Sequence, residues 1–211
     1  QVCHIPAIAR KPSTRTEWYW ADAGQTIDPI PVDPATGRPT YDKKKGTFVW
    51  ENNVVPALRY FDGKWSRFII GVNDTYTTTP VVLGAPVADY TTPGAMIYPF
   101  KKMIGNQIAD ANNNTMLVPH LFGMKGGPNP YWVAYDWDLA LQDGADYTGQ
   151  PYSGAYEFVD TEMYLTVNHE IAPKEQALGI DNSCDSCHFG DRIEWTELGW
   201  DGDPALGGTR P

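Results

Sequence analysis

Apolar positions are sparse and irregular over the first fifty residues, where only the cluster Trp18-Tyr19-Trp20 stands out. Such a cluster serves as a local packing knot more readily than as an electron relay. Residues 26–40 carry Pro29, Pro31, Pro34 and Pro39 and predict an extended loop. The pattern then tightens. Residues 47–50 and 57–61 read as short strands, and Asp62-Gly63 predicts a hairpin turn into a third strand over 64–70. Residues 75–92, rich in Thr and Pro, predict exposed extended chain. Helical spacing is expected from about residue 129, where Pro130 suits a first turn. Tyr131, Tyr135, Trp137 and Leu141 line its faces until Gly144 ends the run. A second helix is expected from 156 to about 169, with Phe158, Met163, Tyr164 and Val167 as its apolar contacts. Pro173 interrupts it, and 174–178 is a further helix former. The Gly-, Pro- and Asp-rich tail, 201–211, is expected to be frayed or ordered only by contact.

These elements predict an irregular, loop-rich α+β fold with a few helices and a small β-hairpin region. Three segments follow: 1–46, an N-terminal motif and loop; 47–128, a short-strand, Pro/Thr-rich insert; and 129–211, a helical C-terminal segment. Composition adds a constraint. Glycine (20) and proline (18) punctuate the chain heavily, yet it holds 8 Trp, 12 Tyr and 7 Phe. Such a chain packs its aromatic rings against something large and flat. The net charge of −10 argues against nucleic acid as a partner. No apolar run reaches the length of a membrane span.

The flat object is named by Cys184-Asp185-Ser186-Cys187-His188, a C-x-x-C-H pattern. Two thiols at that spacing add across the porphyrin vinyl groups of a c-type haem, and the next residue, His188, meets the iron as its proximal ligand. The chain opens Gln1-Val2-Cys3-His4, the same pattern cut before its first cysteine. A second haem is therefore expected on Cys3 by one thioether, with His4 as proximal ligand; the competing reading is an incidental surface thiol. The core is then expected to be built largely on haem. All three cysteines belong to these motifs, which leaves no disulfide framework. Covalent haem attachment takes place outside the cytoplasmic membrane, so the periplasm or the cell surface is expected, with the missing leader read as processing or truncation.

Four histidines are present: His4, His120, His169 and His188. Two haems with two axial imidazoles each would use all of them, giving closed, electron-transferring irons. His169 is the leading distal ligand, with Glu170 placed to orient its ring; an exposed surface histidine is the alternative. His120, in Val118-Pro119-His120-Leu121-Phe122, is either a further ligand or a buried, satisfied core histidine.

Thr161-Glu162-Met163-Tyr164, the run from Asn168 to Leu178 and the C-x-x-C-H at 184–188 resemble the C-terminal part of the octahaem tetrathionate reductase family of multihaem cytochromes c. Gln1 to Pro6, Asn114 to Pro119 and Tyr131 to Trp137 point the same way. The resemblance implies a cysteine before Gln1 and a two-haem portion of a larger array. It also implies reduction of tetrathionate, nitrite or hydroxylamine at a lysine-ligated haem that has no counterpart among these residues, so no catalytic residue is assigned. The leading expectation is an electron-transfer module in an extracytoplasmic reductase or electron conduit. Its partners are redox proteins or other haem-bearing segments, with homo-oligomers or filaments in view. The alternatives are a reductase with an open haem in its own right, a zinc protein using Cys3, Cys184, Cys187 and a histidine, and a dithiol oxidoreductase.

Overall fold

The computed structural model describes residues 2–123, 130–167, 169–181 and 183–210. Gln1, the expected helix start at residue 129, Asn168 and Pro211 lie outside them. One mixed sheet of nine strands organises the chain: β1 (Thr14–Tyr19), β2 (Tyr41–Asp42), β3 (Gly46–Glu51), β4 (Ala57–Phe61), β5 (Trp65–Arg67), β6 (Val81–Pro86), β7 (Met96–Asp110), β8 (Thr115–Met116) and β9 (Tyr156–Thr166). Its order is β2-β3-β1-β7-β9-β6-β5.

β7, fifteen residues long, is the spine. On one side it pairs with β9 without a break, from Phe100 opposite Thr166 to Asp110 opposite Tyr156. On the other it meets β4, then the parallel β1, then β8. The sequence pattern predicts no strand there, and Pro99 and Gly105 would disfavour one. Both are accommodated locally. Pro99 lies one residue beyond the β9 ladder, so its missing N–H takes nothing from that ladder. A Cβ on Gly105 would collide with the Trp18 carbonyl, so glycine is what lets β1 approach.

The helix expected over 156–169 is corrected by β9. Tyr, Phe, Val and Thr recur in this stretch and favour the pleated conformation. Its strand period is blurred because both faces are covered. Phe158 packs with Ile108, Leu117 and Trp137 on one face, and Val159 with Val81, Ala109 and Met116 on the other. The helix-weighted fold class is corrected with it: the fold is sheet-rich, and it carries its own side-chain core. The expected hairpin at Asp62-Gly63 is a turn only. β4 leaves to pair with β7, and β5, shortened to three residues, pairs with β6. The exposed extended chain of 75–92 contains β6, whose Val81 is buried beside β9.

Two helices replace the single run expected from 129. α1 (Tyr131–Ala134) ends at Tyr135, which is left-handed (φ 52°). α2 (Trp137–Thr148) starts from an Asp136 cap whose carboxylate accepts the Leu139 N–H at 3.1 Å, and ends at Gly149 (φ 73°). Asp136 opens a new helix because its side chain competes for the backbone donors of the next turn. Gly144 does not terminate α2. A Cβ there would strike the Val118 carbonyl, so this glycine brings α2 against residues 118–120, backbone to backbone. Residues 174–176 form only a 3₁₀ turn. The tail is ordered by contact, with the Arg210 guanidinium over the Trp200 and Tyr90 rings at 4.4 and 4.9 Å. Trp18 stacks on Trp20 at 4.9 Å, the packing knot expected there.

Candidate functional site

The two cysteine motifs lie 181 positions apart in sequence and meet at one end of the sheet, where Phe100 and Pro99 begin the β7 ladders. Backbone bonds tie the N-terminal motif to the segment that leads into the second: the Cys3 carbonyl accepts the Leu178 N–H at 2.9 Å, and the His4 carbonyl accepts the Ala172 N–H at 2.8 Å. The Arg192 guanidinium donates to the Pro6 carbonyl at 2.9 Å. Cys187 sits against a small cluster of Leu58, Ile193 and Leu198, with Val2, Trp195 and Trp200 around it. Burial pushes its thiol pKa up, the neighbouring Cys3 thiol adds to the rise, and Arg192 opposes it. Cys3 and Cys184 are exposed.

Residues 184–186 form a 3₁₀ turn capped by the Ser183 hydroxyl, which accepts the Asp185 N–H. The Cys184 carbonyl accepts the N–H groups of both Cys187 and His188 at 3.0 and 2.9 Å, folding the motif into one compact loop. His188 Nδ1 lies 2.6 Å from Asp203 Oδ1, and the Phe189 N–H donates to the other carboxylate oxygen at 2.8 Å. Burial pushes the Asp203 carboxyl up, but His188 and the Phe189 and Ala205 N–H groups outweigh it and hold the pKa below the ordinary carboxylate range. An ionised Asp203 takes the Nδ1 proton as its hydrogen bond, which leaves Nε2 with the free lone pair. Trp195 stacks on the imidazole at 5.1 Å and 15°. Arg59 of β4 anchors the turn that carries this ring, with Glu194 and Glu197 at 3.0 and 3.2 Å. A ring braced on one nitrogen and one face, following directly on two thiols in sequence, fits a c-type haem.

His169 joins this end. It is exposed, three residues past the end of β9, in the wall of a cavity shared with Ile8, Lys101 and Val167. Glu170 takes a left-handed backbone (φ 76°), and its carboxylate accepts the N–H groups of Ala9 and Arg10 at 3.0 and 3.3 Å. Both oxygens thus go to the segment after the N-terminal motif and not to the His169 ring, which Glu170 was expected to orient.

His120 is elsewhere. It follows β8 and packs under α2, with its Nδ1 2.5 Å from Asp143 Oδ2. The four histidines therefore divide three to one between the two ends of β7. Among the described residues, no three His, Cys, Asp or Glu side chains gather where they could hold a bare metal ion, so the zinc alternative has no ligand cluster. Among the described residues, no helix is long and apolar enough to cross a membrane.

Sequence reasoning missed Asp203, Asp143 and Trp195. Only Asp203 left a trace, as the residue before Pro204 at the head of a 3₁₀ turn. The other two are set by packing between distant segments.

Comparison with known proteins agrees with this geometry. No curated protein matches the chain. A solved structure, the octaheme cytochrome c from Shewanella oneidensis, is similar at 39% identity and a TM-score of 0.84 over 98% of this chain. The chain spans 46% of that structure's length. The model of a family described as bacterial cytochrome c matches residues 15–191, most of the sequence. The chain belongs to the bacterial cytochrome c family.

Proposed function

We propose that this chain is a two-haem electron-transfer module of a larger extracytoplasmic multihaem cytochrome. One haem is held by Cys184 and Cys187 with His188 as proximal ligand. The other is held by Cys3 with His4, and His169 supplies a distal nitrogen at this end. Haem supplies the one-electron chemistry; the chain supplies attachment, ligand orientation and spacing. His188 is braced by Asp203 and Trp195, so little rearrangement is needed when the charge at its open nitrogen changes.

The observation that carries this reading is the convergence of the two motifs. The His4–Ala172 and Cys3–Leu178 bonds tie the N-terminal motif to the segment leading into the second motif, and Cys3 lies within electrostatic reach of Cys187; both support an arrangement suited to passing electrons between two haems. Partners are other haem-bearing segments or redox proteins. The test is intact mass together with the absorbance of the reduced, alkaline-pyridine-treated protein. Two haems per chain are expected, one of them on a single thioether when the chain begins at Gln1. One haem would remove the Cys3 site, and none would overturn the proposal.

A further inference from the structure

We propose that Lys101 and Thr14 form an oxyanion-binding site in the cavity at the cysteine end of the sheet. The inference goes beyond electron transfer, and it stands whether or not His169, in the same wall, ligates a haem.

The first argument is an uncompensated charge. Lys101 lies near the start of β7, opposite Leu165 of β9, and is half-buried. Its ammonium donates to the Thr14 hydroxyl at 2.7 Å, a neutral partner that takes one of its three N–H donors. Among the described residues, no carboxylate stands within ion-pair distance of it. Lys102, the next residue, shows the contrast, because its ammonium meets the Glu162 carboxylate at 2.9 Å. Buried charges are ordinarily paired, since water no longer offsets them. Burial accordingly lowers the Lys101 pKa, and the Arg15 charge lowers it further.

The second argument is the surroundings. A cavity of about 280 Å³ opens on Lys101 and Thr14, with Ile8, Ser13 and Leu165 also in its wall. Glu170 lines it too, but its carboxylate is occupied by the Ala9 and Arg10 N–H groups. Arg15, which follows Thr14 in β1, has its guanidinium 4.1 and 4.7 Å from the Phe48 and Trp50 ring centroids. Its Nε is buried without a hydrogen-bond acceptor among the described residues. Burial lowers the Arg15 pKa; Asp42 opposes this from beyond pairing distance and is itself 3.9 Å from Lys45. Two cations within electrostatic reach of each other, neither in an ion pair among the described residues, make a local positive field in a chain of net charge −10.

The occupant follows from these features. It is negative, to offset the two cations, and rich in acceptors, to take the ammonium donors that Thr14 leaves over. An oxyanion meets both demands and forms short, charge-assisted hydrogen bonds. It comes from solution as a small inorganic oxyanion, or from a porphyrin propionate, whose carboxylate presents the same chemistry.

The test uses the haem-loaded chain, with sodium sulfate as the probe for the first source. Calorimetric titration at constant ionic strength should show one equivalent bound. Lys101→Met should weaken binding by about tenfold or more and Thr14→Val by about threefold. Lys101→Arg, which keeps the charge, should retain it. Lys102→Met, at an ammonium already paired, should bind as the parent does. An unchanged far-ultraviolet circular dichroism spectrum shows that each variant is folded. For the second source, the propionate bending band of the resonance Raman spectrum is compared between the parent and Lys101→Met. A shift of that band, with no sulfate uptake by the parent, places a propionate on Lys101 and supports the proposal. Equal sulfate uptake by the parent and Lys101→Met overturns it, as does no uptake together with an unmoved band. Failure of the two-haem reading would show separately, as a missing haem mass, and in a chain without haem the sulfate titration alone decides.

Discussion

Asp203 and Asp110 show how much single carboxylates do here. Asp203 holds His188 by Nδ1, and replacing it with alanine frees the ring to rotate and removes electron density from it. Asp203→Ala should keep both thioether bonds by mass, yet raise that haem's reduction potential by on the order of tens of millivolts, as read by redox titration. Asp110, fully buried, accepts the Ser153 N–H and hydroxyl and the Asn112 and Asn113 N–H groups, pinning the β7–β8 turn to the segment before β9. Burial raises its pKa, but these four donors win and hold it below the ordinary carboxylate value. Its folded-state pKa is thus depressed, so its stabilisation is full above the unfolded-state pKa and drains as pH falls through the lowered folded value. Asp110→Asn should cost about 2 kcal/mol near neutral pH in chemical denaturation, with the gap to the parent closing in acid. A constant gap across pH would assign the cost to shape instead of charge.

Among the elements, the legible ones were those whose pattern is local. The strands near 47–50 and 57–61, the proline-rich loop at 26–40 and the aromatic knot at Trp18–Trp20 follow from neighbouring residues and appear in the structure. β9 was misread as a helix because two covered faces hide a period of two. β7 was missed because Pro99 and Gly105 make sense only beside β9 and β1. Gly144, read as a helix stop, is instead a place of close approach. Gly144→Val should force α2 off the 118–120 segment, destabilise the chain by about 3 kcal/mol, and separate Asp143 from His120. Thermal unfolding measures the first effect, and the chemical shifts of the His120 ring protons in nuclear magnetic resonance the second. Unchanged ring shifts would show that Asp143 reaches the ring without the helix contact.

The whole molecule is a sheet with unequal ends. Around Ile108 and Trp137, and around Ala109 and Val159, side chains cover both faces of β7 and β9. At the cysteine end the clusters are thin, formed by Ile5, Ile8 and Val167 and by Leu58, Ile193 and Leu198. On the proposed function, haem would be the missing mass of one end and not of the whole core. A Cys184→Ala/Cys187→Ala chain should lose amide hydrogen-exchange protection in residues 184–210 while the β7–β9 ladder stays protected. Uniform loss would mean that haem supports the sheet itself. The C-x-x-C-H pattern was legible from the sequence, because thioether chemistry demands a fixed spacing. Its meeting with the N-terminal motif was not, because it depends on bonds from Cys3 and His4 to residues near 170–180. That closure has a consequence for how the protein folds. The bonds from Cys3 and His4 to Leu178 and Ala172 join residues separated by most of the chain, and contacts of such long sequence separation form slowly. This end of the sheet should therefore close late, after the β7–β9 ladder has formed.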